Sequence, residues 1–482
     1  MQDPLPSLIA RRTLFVLVIL FAYPAHPQDN PPAGASSQAL ETGKVLPETH
    51  CTAHPEQTFA LYLPSNYSPK RRWPLMVSSD PGAHGTIPLQ LQKDAAERLG
   101  YILVSSNNSS NGPWQPRLEA TEAVISDVQA RFAIDPKRIY FAGFSGGARF
   151  SAQLALLCKC VAGVLLSGAG FTAEVPPASN TVFPVFSTVG TFDFNYKEMI
   201  PLQDALAKAA YPHWLRIFDG PHRWPPPEFM EEALTWFRIQ AMKKQLEARD
   251  RTFIEAQFAK ARARAESFEQ SGDLLNARRE YLQIADTFDT LVDVASIRAK
   301  AEALVGEKAV REAAKHEQND FKEESQLTSD LLARLLIPPD NLDNRYQSDP
   351  YQSDHDLESR IMHLRQNAEQ EKRQERARVF KRALGDVFVT AMQTGDSLLE
   401  EKKLQNAIRD YAFATQAMPD SAWAWGQLAA AHASAGNKKE ALASLRKAYE
   451  LANDKPSFSK WLQTERHFAP LRSMPEFQSL QK

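Results

Sequence analysis

The sequence predicts a mostly parallel α/β sheet covered by helices on both faces, followed by an all-α helical region. Between about residues 58 and 243, short apolar runs alternate with segments of helical period, as strands joined by crossover helices do. Several of those runs are near-continuous Val, Ile, Leu and Phe, the composition of strands buried on both faces. After residue 245 the strand-like runs vanish, glycine becomes rare, and Ala, Glu, Arg, Lys and Leu dominate.

In chain order, Arg11 and Arg12 precede the apolar run "TLFVLVILFAYPA" and a polar, proline-rich stretch. A basic start, about a dozen apolar residues and a small-residue exit read as a secretory signal over 1–27, shorter than the roughly 20 residues of a spanning helix. The chain is therefore expected to be exported, periplasmic or secreted, with membrane contact only if the signal stays uncleaved. Residues 28–50 are expected to be a disordered linker, and 51–245 the α/β domain.

Seven strands are predicted there: "FALYLP", "PLMVSS", "YILVSS", "RIYFAG", "VAGVLLSG", "FPVFSTVG" and "HWLRIFD". The first alternates Phe59, Leu61 and Leu63, as an antiparallel edge strand would. Between strands, "LEATEAVISDVQARF" places Ala123, Val124, Val128 and Phe132 at helical spacing.

Residues 246–318 read as a helical repeat-like region, 319–360 as a polar linker, and 361–482 as a second helical domain. Ala407, Tyr411 and Ala414 are matched 34 positions on by Ala441, Leu445 and Ala448. This resembles the tetratricopeptide repeat, whose helix pairs cross at small residues. Gly272, Ala277 and Tyr281 carry the same pattern once more. The linker clusters Asp340, Asp343, Asp349, Asp354 and Asp356 around His355, a spacing that matches no metal loop.

The formal net charge is −2 over 482 residues, which suggests neither nucleic acid nor anionic lipid as a partner. An exported chain permits a bridge from Cys51 to Cys158 or Cys160. No fourth ligand accompanies the three cysteines, so zinc is disfavoured, and neither metal nor cofactor is expected.

The chemistry centres on "YFAGFSGGARF", where Gly143-Phe144-Ser145-Gly146-Gly147 fits G-x-S-x-G. A buried strand ends there and a helix begins, as a nucleophile elbow requires. The turn lifts the serine hydroxyl above the sheet, at the positive end of the following helix. A serine nucleophile needs a base held by a carboxylate, and the chain order for this arrangement is Ser, Asp or Glu, His. Asp193 lies just beyond a predicted strand and His222 in the loop after the last one. Their rivals are Asp219, three residues from His222, and His84 and His213. For the oxyanion, one backbone donor is expected at Gly146. The other is expected in "SSDPGAHGT", at Ala83 by position, with Gly82 and His84 as rivals. His84, Trp114, Phe144 and Trp224 are candidate substrate-binding residues, with Phe194 and Tyr196 nearby.

These motifs resemble those of the α/β-hydrolases, in particular the secreted esterases similar to polyhydroxybutyrate depolymerases and feruloyl esterases. The matching stretches are the Gly82–Gly85 loop, "DPKRIYFAGFSGGA", Gly190-Thr191-Phe192-Asp193 and "DGPHRWPP". The sequence has proline-glycine where many members have histidine-glycine in the oxyanion loop. The resemblance covers under half the chain and implies a serine hydrolase that cleaves a small-molecule or polymer-linked ester. The competing expectations are a serine peptidase of the same fold, and a non-catalytic repeat protein that binds a protein partner.

Overall fold

The computed structural model describes residues 41–480 apart from 159, 174–175, 178, 181, 337–349 and 453. The expected signal run and the first part of the expected linker lie outside the described residues. Eight strands form one sheet: β1 (Val45–His50), β2 (Thr58–Tyr62), β3 (Trp73–Ser79), β4 (Ile102–Ser106), β5 (Ile134–Phe144), β6 (Gly163–Ser167), β7 (Val185–Gly190) and β8 (His213–Phe218). Their order is β1-β2-β4-β3-β5-β6-β7-β8. The β1/β2 and β2/β4 pairs are antiparallel and the others parallel. This is the mostly parallel α/β sheet expected from the sequence.

Two expectations need correction at the antiparallel end. Residues 45–50 are not disordered linker but the edge strand, and β2, expected at the edge, is enclosed by β1 and β4. The half-exposed "VLPETH" buries too little to signal a strand by itself, and pairing with β2 supplies its order.

The helices of this part are α1 (Thr86–Leu99), α2 (Trp114–Arg131), α3 (Gly146–Cys158), α4 (Tyr196–Lys208) and α5 (Pro227–Lys243). Because strand side chains alternate between faces, neighbouring residues of one strand serve two cores. Val77, Val104, Phe141 and Val164 pack with Val124, Val128 and Phe150 of α2 and α3. Met76, Leu103, Tyr140 and Leu165 pack with Leu89 of α1 and with Met230, Leu234 and Phe237 of α5.

The expected domain end at 245 is also corrected. α6 (Arg251–Gln270), α7 (Leu274–Phe288) and α8 (Ala295–Ala303) share a core with Ile239 and Met242 of α5, built on Ile254, Tyr281, Ile284 and Phe288. Trp236 donates to Thr287 Oγ1 at 3.1 Å, and Gln283 to the His213 carbonyl at 2.8 Å. Arg216 on β8 ion-pairs with Glu232 at 3.0 Å and also with Glu280 of α7. The compact unit therefore runs to Ala314.

A second unit spans Lys315–Lys482, with the boundary inside α9 (Lys308–Leu335). It continues with α10 (Pro350–Gln370), α11 (Gln374–Glu400), α12 (Leu404–Ala417), α13 (Ala422–Ser434), α14 (Lys438–Leu451), α15 (Lys455–Thr464) and α16 (Pro475–Ser479). The expected polar linker is helical at both ends, over 319–335 and 350–360. Leu331, Leu335 and Leu357 join the core there, and Arg382 pairs with a fully buried Glu324. Asp354 and Asp356 of the acidic cluster pair with Arg409 and Arg360 at 2.8 and 3.0 Å, whereas Asp340, Asp343 and Asp349 lie outside the described residues.

The 34-residue spacing maps onto α12 and α14, where Ala407, Tyr411, Ala414, Ala441, Leu445 and Ala448 are all buried. Cys158 is bridged to Cys160 with their Cα atoms 5.1 Å apart, leaving Cys51 as a free, buried thiol. A bridge to Cys51, allowed by sequence, is not formed. Burial, reinforced by Asp127, pushes the Cys51 thiol up to about 11. Among the described residues no helix is long and apolar enough to cross a membrane.

Candidate active site

Ser145 occupies the junction of β5 and α3 with a φ of 52°, a left-handed conformation uncommon outside glycine. Its N–H donates to the Ser167 carbonyl on β6 at 2.9 Å, which fixes the turn to the neighbouring strand. The flanking glycines make so tight a turn possible. A Cβ on Gly143 would lie 2.2 Å from the Gly147 carbonyl oxygen, and one on Gly147 2.0 Å from that of Ser79.

His222, in the loop after β8, lies between Ser145 and Asp193. Its Nε2 is 2.9 Å from Ser145 Oγ and its Nδ1 2.9 Å from Asp193 Oδ1. Asp193, in the loop after β7, is fully buried, and Oδ1 also accepts from the Asn195 N–H at 2.8 Å. Three side chains distant in sequence thus converge at the C-terminal ends of β5, β7 and β8. In an open α/β sheet this is the edge where ligands bind. The rivals are engaged elsewhere. Asp219 Oδ1 accepts from Thr191 Oγ1 at 2.8 Å, and His213 Nδ1 lies 2.8 Å from the Tyr211 carbonyl oxygen.

Two aromatic rings pack on the imidazole. Phe144 and Phe194 lie 4.6 and 4.1 Å from the His222 ring, centroid to centroid, and Trp224 continues the stack at 5.6 Å from Phe144. Trp224 is not an open cleft wall, because it is buried and its Nε1 donates to Asp80 Oδ2 at 2.8 Å. Trp114 opens α2, is half-buried, and packs on Phe150 at the edge of the core, their ring centroids 5.0 Å apart. His84 is exposed, its Nδ1 3.3 Å from Asp80 Oδ1.

The loop after β3 differs from expectation in its donors. Ala83 has a φ of 57°, but its N–H is spent on the Asp80 carbonyl at 3.0 Å. The two rival donors are committed as well, since Gly82 and His84 donate to Asp80 Oδ1 at 2.9 and 3.2 Å. Gly146, by contrast, is the first residue of α3, and an N–H in the first turn has no acceptor within its own helix.

Sequence reasoning missed Arg117. Its guanidinium is buried, lies 4.3 Å from the Phe150 ring, and donates to the Gly146 carbonyl at 3.2 Å. Among the described residues no carboxylate pairs with it, and burial pulls its pKa down to about 10. A buried, uncompensated cation costs folding energy and marks a candidate functional position. Its place one helical turn after "GPW" carries no motif that could have signalled this.

No protein-family model matches the chain, and no curated protein matches it. Among solved structures, the S-formylglutathione hydrolase from Staphylococcus aureus is similar over 42% of this chain and 99% of its own, at 14% identity and a TM-score of 0.34. A feruloyl esterase module from Clostridium thermocellum, complexed with sinapinate, is similar over 40% and 86%, at 16% identity and a TM-score of 0.34. An esterase from Pyrobaculum calidifontis is similar over 43% and 86%, at 14% identity and a TM-score of 0.34.

Proposed function

We propose that the chain is a serine hydrolase that cleaves carboxylic esters through an acyl-enzyme on Ser145. The observation that carries this reading is His222 bridging Ser145 Oγ and Asp193 Oδ1 at 2.9 Å on each side. In the acylation step, Oγ attacks the ester carbonyl carbon while its proton passes to His222 Nε2. Asp193 holds the imidazole in the required tautomer and stabilises the imidazolium. The oxyanion accepts from the Gly146 N–H, at the positive end of α3. As the tetrahedral intermediate collapses, the C–O bond to the alcohol breaks and the alcohol leaves with the proton from His222. Water then repeats the sequence on the acyl-enzyme and releases the acid.

The packing of Phe144 and Phe194 on His222 supports a site that limits the access of bulk water to the base. Export is part of the proposal. It is supported by the basic residues and apolar run near the N-terminus. The helical unit, with its tetratricopeptide-like spacing, is proposed to dock a protein or polymeric partner.

The test is a fluorophosphonate probe with aryl-ester and peptide-amide substrates side by side. The wild type is expected to be labelled and to turn over the ester. Ser145→Ala is expected to lose labelling and roughly 10⁴-fold or more in kcat. A folded wild type that takes no label overturns the proposal, and amide turnover exceeding ester turnover makes it a peptidase.

A further inference from the structure

A tetrahedral intermediate is held best by more than one donor, and the three loop residues expected to supply the second have theirs committed. Pro81 lacks an N–H, and the N–H groups of Gly82, Ala83, His84 and Gly85 are all bonded within the loop, the last to the Ala83 carbonyl at 3.0 Å. Another group reaches the elbow from the segment between β4 and α2. A Cβ placed on Gly146 would lie 2.3 Å from Asn111 Oδ1 and 2.5 Å from Asn111 Nδ2. The carboxamide of Asn111 therefore lies against the Cα of the residue that follows the nucleophile.

We propose that Asn111 is the side-chain oxyanion donor of this site, acting beside the Gly146 N–H. The assignment rests on the serine-hydrolase reading and adds to it a residue that backbone motifs do not indicate. A Cβ stands about 2.5 Å from its own backbone nitrogen, from the standard bond lengths and angles. Asn111 Nδ2 thus lies no more than about 5 Å from the Gly146 nitrogen. Two donors that share one oxygen at 2.7–3.1 Å can be up to about 6 Å apart, so this separation is compatible with a common oxyanion. Rotation about χ2 exchanges the two ends of the carboxamide without moving the group.

Its support is built on both sides. The Asn111 N–H donates to the Pro81 carbonyl at 2.7 Å, tying this segment to the loop after β3. Six residues on, the buried Arg117 donates to the Gly146 carbonyl at 3.2 Å, adding positive charge beneath the developing negative one. The arrangement also explains why Gly146 is glycine, since a side chain there would take the space that Asn111 fills.

The experiment compares Asn111→Ala, Asn111→Asp, Gly146→Ala and the Asn111→Ala/Gly146→Ala double variant in the full chain. The readouts are aryl-ester kinetics, the rate of fluorophosphonate labelling and thermal melting. Asn111→Ala is expected to lower kcat by about 10²–10³ with little change in KM, as loss of one oxyanion donor does. Asn111→Asp has the same size but no donor as a carboxylate, and is expected to lose as much. Gly146→Ala displaces the carboxamide, so the double variant is expected to be no worse than the poorer single one. If Asn111→Ala or Asn111→Asp keeps kcat within threefold of wild type, the donor assignment fails and the serine-hydrolase reading stands. If the wild type itself takes no label, the underlying reading fails instead. Asn111→Asp keeps the comparison decisive should the alanine variant melt early.

Discussion

Asp80 satisfies three donors from two loops: the Gly82 and His84 N–H groups through Oδ1 and the Trp224 indole through Oδ2. It thereby joins the loop after β3 to the aromatic stack that reaches His222, so it is a positioning residue and not a member of the triad. Asp80→Asn keeps the shape but turns an N–H₂ toward one set of these donors. A buried donor left without an acceptor costs about 1–3 kcal/mol. The variant is expected to melt a few degrees lower and to turn over aryl esters more slowly, with the loss mostly in kcat. Unchanged melting would show that the loop holds itself without the carboxylate. At this scale the sequence was most legible at Ser145, Asp193 and His222, because an elbow and a chain order are patterns in one dimension. It was least legible at Ala83, Asn111 and Arg117. Whether an N–H is free, or a side chain reaches across to another loop, depends on contacts with no fixed spacing.

Elements show the same division. All seven expected strands are present, since an apolar run bounded by turns is a local signal. β1 was missed because "VLPETH" is half exposed and is ordered by its partner. The polar stretch after 319 was misread because α9 and α10 show acidic and polar residues on their outer faces while Leu331, Leu335 and Leu357 face a core. In the helical unit the close crossing of α11 and α12 is set by Gly395, where a Cβ would lie 2.7 Å from Tyr411 Cε1 and 3.0 Å from Cζ. Tyr411 is fully buried and donates to Asp396 Oδ1 at 2.6 Å, so its ring cannot swing away freely. Gly395→Ala is expected to destabilise this unit by about 1–3 kcal/mol, as overpacking does, despite alanine's better helix propensity. Circular dichroism melting would reveal it. A more stable variant would mean that the helices separate readily.

For the whole molecule, the consequential correction is where the α/β unit ends. α5 buries Leu234 and Phe237 against the sheet and Ile239 and Met242 against α6–α8, so a cut at 245 strips one face of a helix that the sheet needs. Two truncations separate these cases. A chain ended at 245 is expected to aggregate, whereas one ended at Ala314 is expected to stay soluble and keep aryl-ester turnover within a few-fold of the full chain. Solubility and activity of the shorter form would show that α6–α8 are dispensable.

The sequence alone determined the strand-helix alternation, the elbow position of Ser145, the order in which Asp193 and His222 follow it, and the 34-residue spacing within the helical unit. Each is written in residue order or local period. Tertiary structure alone decided which donors near the elbow are spent, which aromatic rings are core, and how far the first unit extends. These depend on burial and on hydrogen-bond competition between segments distant along the chain, and that competition is settled only when the segments meet.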